Sequence, residues 1–168
     1  MGHKEHRHGA PRTANVAILT VSTTRTLETD ESGQWMARYA AEKGHQVVAH
    51  AVVTDQADAI RQQLLEIIAS ATPHIVIVTG GTGITPEDVT IEAIKPLFIK
   101  ELTAFSTLFT KLSFEEIDAA AMISRATAGV MGQTLIFCIP GSLNACKLAC
   151  KKLIIPELGH LIRHTTGQ

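Results

Sequence analysis

His74-Ile75-Val76-Ile77-Val78-Thr79-Gly80-Gly81-Thr82-Gly83 is the stretch that decides how this chain folds. Its β-branched run has no polar alternate positions, so a strand built from it buries both faces, as strands of parallel sheets do. Two adjacent glycines follow. Backbone amides with no Cβ in the way can wrap an anion, which makes Gly80, Gly81, Thr82 and Gly83 candidates for a phosphate-binding loop. The segment lacks the spacing of a dinucleotide fingerprint and the lysine of a P-loop, and a plain connecting turn is the competing reading.

On the N-terminal side, Asn15-Val16-Ala17-Ile18-Leu19-Thr20-Val21 reads as another buried strand, ending in Ser22-Thr23-Thr24-Arg25-Thr26. From Ser32 the spacing turns helical, with Trp35 above Tyr39 and Met36 above Ala40, and Gly44 stops the helix. Gln46 to Val53 is strand-like and ends at Thr54-Asp55. Ile60, Leu64, Ile67 and Ile68 then mark a helix over about 56–70. The βαβαβ order predicts an α/β fold with right-handed crossovers and a mostly parallel sheet covered by helices on both faces.

On the C-terminal side, residues 88–97 read as a helix, 104–112 as another and 114–118 as a short one. Thr134 to Ile139 is a further buried strand. Residues 126–130 with a turn at Met131-Gly132 predict an antiparallel hairpin arm, and 142–155 a closing helix stopped by Pro156.

One domain over 14–168 is expected, preceded by a frayed tail over 1–13 that carries His3, His6 and His8. With 45% hydrophobic and 18% charged residues the composition is globular. No apolar run approaches the ~20 residues of a membrane span, and no apolar signal segment opens the chain, so a cytoplasmic protein without a membrane partner is expected. A net charge of −1 offers nothing to nucleic acid, and Lys147, Lys151 and Lys152 read as a solvated helix face. Cys138, Cys146 and Cys150 form an odd set that suits small core residues better than a disulfide framework or half of a metal site.

Polar chemistry gathers at the carboxyl ends of the strands, where open α/β sheets bind ligands. Pro140-Gly141-Ser142 repeats the strand-turn-helix pattern, with Ser142 a helix N-cap in any case. Thr85-Pro86-Glu87-Asp88 fits a capping box, and Asp55 fits a cap for the second helix. Two carboxylates on neighbouring strand ends beside a phosphate cradle equally suit a Mg²⁺-nucleotide site, and spacing leaves the two readings even. Glu28, Asp30 and Glu31 read as solvated, with Arg25 offsetting them. Arg125, after Ser124, is the guanidinium best placed for a second phosphate, or else an exposed ion pair.

Thr79-Gly80-Gly81-Thr82-Gly83, Asp88-Val89-Thr90, Ser124-Arg125 and Ile139-Pro140-Gly141-Ser142 occur in this order, together with Leu19-Thr20-Val21-Ser22 and Asp30-Glu31-Ser32-Gly33. The set resembles the MogA/MoaB family of molybdenum cofactor biosynthesis proteins from about Asn15 to Ile162, and its MoaB branch across Leu112-Ser113-Phe114-Glu115-Glu116-Ile117. The resemblance implies a three-layer, Rossmann-like αβα sandwich, trimers or hexamers, and binding of molybdopterin. It implies adenylylation of the terminal phosphate by Mg-ATP with release of pyrophosphate, and a molybdenum-insertion enzyme as partner. Asp55 and Asp88 match the acidic positions linked to Mg²⁺ and catalysis. Gly80, Gly81, Thr82, Gly83, Thr90, Gly141, Ser142, Ser22 and Arg125 fall where phosphate and pterin are held. Where the family commonly has Gly-Phe-Gly-Glu followed by Arg, this chain reads Ala104-Phe105-Ser106-Thr107 and then Thr110.

Overall fold

A computed structural model describes residues 13–166, so the expected tail lies, but for Thr13, outside the described residues. The central strands form where they were predicted: β1 (Asn15–Val21), β2 (Gln46–Val53) and β3 (Ile75–Thr79). They join β4 (Lys100–Glu101), β5 (Thr127–Met131) and β6 (Thr134–Ile139) in one six-stranded sheet, ordered β2-β1-β3-β6-β5-β4. The pairs β2-β1, β1-β3 and β3-β6 are parallel, while β6-β5 and β5-β4 are antiparallel. The hairpin arm is therefore β5-β6, with its turn one residue later than predicted, at Gly132-Gln133.

Side chains alternate across each strand, and each face of the sheet has its own core. Val16, Ile18, Ile75, Ile77, Leu135 and Phe137 meet α1 (Glu31–Glu42), α4 (Thr103–Ile117), α5 (Leu143–Ala149) and α6 (Ile155–Thr166). Ala17, Leu19, Val76, Val78, Ile136 and Cys138 meet α2 (Ala57–Ala71) and α3 (Thr90–Ile94). Three layers result, as expected. No helix among the described residues is long and apolar enough to cross a membrane.

Three predicted boundaries need correction, each because a tertiary contact outweighs local sequence. The helix expected over 88–97 shrinks to α3 plus a 3₁₀ turn at Lys95–Leu97, since Asp88 closes a separate turn and Thr90 is tied to the glycine loop. The two helices expected over 104–118 are one, because Phe105, Phe109 and Ser113 make a continuous buried stripe at four-residue spacing. Pro156 does not stop the last helix. A π-turn at Cys150–Ile154 widens the helix ahead of it, with the Ile155 N–H bonding the Cys150 carbonyl, and the proline then sits in the first turn of α6, where its missing N–H costs little. Leu158 and Ile162 carry the buried stripe onward.

Of the lysine group, Lys151 lies 5.6 Å and Lys147 6.0 Å from the Trp35 ring centroid, close enough for weak cation–π attraction. All three cysteines are buried and free, as read. Burial pushes the Cys138 and Cys150 thiols far up, and also raises Cys146, leaving no reactive thiolate at neutral pH. The native protein is expected to resist a colorimetric disulfide reagent, and all three thiols to react at once when guanidinium unfolds it; rapid labelling of the native state would contradict this burial.

Candidate functional site at the carboxyl ends of β1, β3 and β6

The strand order reverses at β1. The first crossover leads out to β2 and the second returns past β1 to β3, so the chain leaves β1 and β3 in opposite directions and opens a crevice between them. The loops after β1, β3 and β6 border this crevice.

The β3 loop is built so that its first two residues must be glycine. Gly80 has φ +95° and a Cβ there would stand 2.3 Å from the Val21 carbonyl oxygen; Gly81 has φ +61° and its Cβ would stand 2.4 Å from Thr90 Oγ1. Thr90 is wholly buried and stitches the loop to α3. Its hydroxyl donates to the Gly80 carbonyl at 2.8 Å and its N–H to the Gly81 carbonyl at 2.9 Å. The Gly80 N–H bonds the Ile139 carbonyl of β6 at 3.0 Å, and Gly141 packs so close that its Cβ would be 3.1 Å from Gly80 Cα. The two glycine loops therefore touch. Among the described residues the N–H groups of Gly81, Thr82, Gly141 and Ser142 donate to no protein acceptor. Such a set suits an anion.

Thr90 thus organises the loop, and Ser142 caps α5, its Oγ accepting from Ala145 N–H at 3.2 Å. Ser22 closes the turn after β1 by accepting from the Thr24 and Arg25 N–H groups, each at 3.2 Å.

Arg125, expected at a second phosphate or in an ion pair, is engaged in an ion pair with Glu92. Its Nε donates to the carbonyls of Thr82 at 3.0 Å and Gly83 at 2.8 Å, and its two terminal nitrogens reach the Glu92 carboxylate at 2.5 and 3.2 Å. Glu92 raises the Arg125 pKa, and Arg125 holds the Glu92 carboxyl below its ordinary range. Asp88 takes the N–H and hydroxyl of Thr85, each at 2.9 Å. One half of the expected capping box exists, but it closes a turn and not a helix. Burial would raise the Asp88 pKa; the Thr85 and Gly83 donors and the Arg125 charge outweigh it and keep the carboxylate ionised.

Asp55 and Asp88 are not on neighbouring strand ends. β1 lies between β2 and β3, so the two strand ends stand two strand spacings, roughly 10 Å, apart. Asp55 does not cap α2 either, whose N-cap is Gln56 without a side-chain bond. No group of three or more metal-ligating side chains occurs among the described residues.

Sequence reasoning missed Asp30. Glu28 and Glu31 are exposed as expected, but Asp30 has no solvent exposure. It caps α1 through Gly33 N–H at 3.0 Å, and its other oxygen accepts from Thr20 Oγ1 at 2.6 Å and faces His50 Nε2 at 2.8 Å. Next to it, Ser32 Oγ at 3.0 Å and Arg25 Nη1 at 3.2 Å both donate to the Gly141 carbonyl. The Asp-x-Ser-Gly order at the helix start was the available signal. A cavity of about 380 Å³ adjoins Arg125, lined by Ser106, Thr110, Met122, Ser124 and Thr127 among others; Thr107 is exposed on α4 and does not line it.

Residues 17–160 match a family model described as a probable molybdopterin binding domain. The chain is similar to molybdenum cofactor biosynthesis protein B of Bacillus subtilis (strain 168), with 48% identity over 164 residues, 97% of this chain and 96% of the relative. It is similar to a crystal structure of molybdenum cofactor biosynthesis protein B at 42% identity and a TM-score of 0.91, over 95% of this chain and 99% of that one. The tungsten cofactor synthesizing protein MoaB from Pyrococcus furiosus aligns with a TM-score of 0.83 and 36% identity, over 93% of this chain and 99% of that one.

Proposed function

The chain belongs to the MogA/MoaB family of molybdenum cofactor biosynthesis proteins, and from that premise we propose that it binds molybdopterin and adenylylates it with Mg-ATP in the cytoplasm. One observation carries the reading: two glycine loops touch at the crevice between β1 and β3, with four N–H groups bare of protein acceptors. An oxygen of the molybdopterin phosphate attacks the α-phosphorus of ATP, a P–O bond forms, and the bond to the departing pyrophosphate breaks. The attacking phosphate is already ionised at neutral pH, so no base is needed. Gly81, Thr82, Gly141 and Ser142 orient the phosphates, Arg125 fixes the loop, and Asp88 presents a carboxylate kept ionised by Thr85. Asp88, and Asp55 across the crevice, would be the carboxylates available to a magnesium ion, which would supply charge neutralisation on the nucleotide phosphates. Catalysis is then positioning plus electrostatics. In this reading the protein works as a trimer or hexamer and passes its product to a molybdenum-insertion enzyme.

Purified protein given molybdopterin, ATP and Mg²⁺ is expected to release pyrophosphate, and Asp55→Ala or Asp88→Ala to slow release by about 100-fold or more. No turnover by the parent would sink the enzymatic reading. A second reading, a non-catalytic carrier of molybdopterin, is favoured by Thr110 in the cavity beside Arg125, where the family commonly carries arginine. Calorimetry would then give pterin binding indifferent to Mg-ATP.

A further inference from the structure

We propose that Arg25, in the turn after β1, is the guanidinium that receives the ligand's phosphate where the two glycine loops meet, while Arg125 serves to hold the β3 loop. The proposal rests on the phosphate-binding reading above and adds a cation to it.

Position comes first. Arg25 lies in the turn that follows β1, the strand at which the sheet order reverses, so its turn borders the crevice. Its Nη1 is 3.2 Å from the Gly141 carbonyl and 4.0 Å from where a Gly141 Cβ would stand, and that same point is 3.1 Å from Gly80 Cα. The guanidinium is therefore beside the contact between the loops. Its own backbone is pinned by the N–H bond to Ser22 Oγ, so the side chain starts from a fixed turn. Arg25 also lines a cavity of about 430 Å³, together with Ser22, Thr23, His50 and Thr54.

Availability separates the two arginines. The Gly141 carbonyl is the single hydrogen-bond partner of the Arg25 guanidinium among the described residues, which leaves most of its five N–H donors open. Arg125 has three backbone carbonyls and both oxygens of Glu92. Charge separates them as well. Glu92 closes on Arg125 at contact distance. The nearest carboxylate to Arg25 is Asp30 at 3.9 Å, beyond a hydrogen bond, and both Asp30 oxygens already take donors from Thr20, His50 and Gly33. Arg25 thus has a single loose ion pair, at 3.9 Å, and its fork stays partly open, 37% exposed, beside bare backbone amides. A planar fork of this kind matches a phosphate through paired N–H bonds, which a lysine cannot reproduce. The ligand chemistry is a phosphate group, from the pterin's monoester or the nucleotide's polyphosphate.

The test is titration of the full chain with inorganic pyrophosphate, with Mg-ATP and with molybdopterin, comparing the parent with Arg25→Gln and Arg25→Lys. Arg25→Gln is expected to weaken binding about tenfold or more and to flatten its salt dependence, with Tm unchanged within about 2 °C. Arg25→Lys keeps the charge and a donor to Gly141, yet is expected to recover the affinity only in part. Loss confined to molybdopterin assigns the phosphate to the pterin, and loss confined to Mg-ATP assigns it to the nucleotide; either supports the proposal. Unchanged binding in Arg25→Gln overturns it and leaves the proposed function standing, as does weaker binding with the parent's salt dependence or full recovery by lysine, which would mark a structural role. A parent that binds none of the three probes overturns the proposed function itself.

Discussion

Asp30→Ala is expected to lower the unfolding free energy by about 3–5 kcal/mol, the range for removing one partner from a buried charged cluster. The carboxylate has no exposure and holds Thr20, His50 and the Gly33 N–H together, so its loss strands two polar side chains and removes the cap of α1. Urea titration of the two proteins measures the difference; a change under about 1 kcal/mol would mean that the cluster contributes little beyond its own desolvation. The same carboxylate gives the protein an acid limit. Burial opposes its ionisation, but the Thr20, His50 and Gly33 donors outweigh burial and hold the folded-state pKa below the unfolded one. Stability from Asp30 is therefore fully present above the unfolded value of ~3.9 and is lost as pH falls through the folded value. Asp30→Asn is expected to be less stable than the parent at pH 7, with the gap narrowing below about pH 4.

Gly80→Ala is expected to cost more than about 3 kcal/mol and to abolish phosphate binding together with stability. Two penalties add at this position. An L-residue at φ +95° is strained, and the new methyl meets a backbone oxygen, Val21, which belongs to a central strand and cannot swing aside as a side-chain tip would. Gly81→Ala provides the comparison. Its obstacle is the Thr90 hydroxyl at 2.4 Å, so part of its defect is expected to be relieved in the pair Gly81→Ala with Thr90→Ala, whereas no side-chain change relieves Gly80→Ala. Thermal unfolding and pyrophosphate titration of these variants decide the matter; a Gly80→Ala protein with the parent's Tm would refute the account of the loop.

The positions of β1, β2, β3 and β6 were readable because each is a local pattern of buried β-branched and aliphatic residues bounded by glycine, proline or polar turns. The glycine loop was readable for a related reason: adjacent glycines after a buried strand announce a backbone that no other residue can adopt. The end of the last helix was not, because Pro156 is a local stop signal and the π-turn that accommodates it is a response of the whole helix, drawn on by Leu158 and Ile162 in the core. Asp30 was misread with its two acidic neighbours because burial is not written in one residue. It depends on His50, twenty positions away on β2, arriving beside the start of α1.

For this protein the amino-acid order alone therefore determined the layers and the glycine turn after β3, which follow from short-range periodicity and steric freedom, and the family, which its motifs carry in order. Only the tertiary structure decided which charges are free to meet a ligand. Strand order put β1 between Asp55 and Asp88, Glu92 closed on Arg125, and Asp30 was saturated by hydrogen-bond donors, so Arg25 keeps one carbonyl partner and a loose ion pair beside two touching glycine loops. A charge acts through its distance to other charges and to water, and those distances exist only after the strands have been ordered.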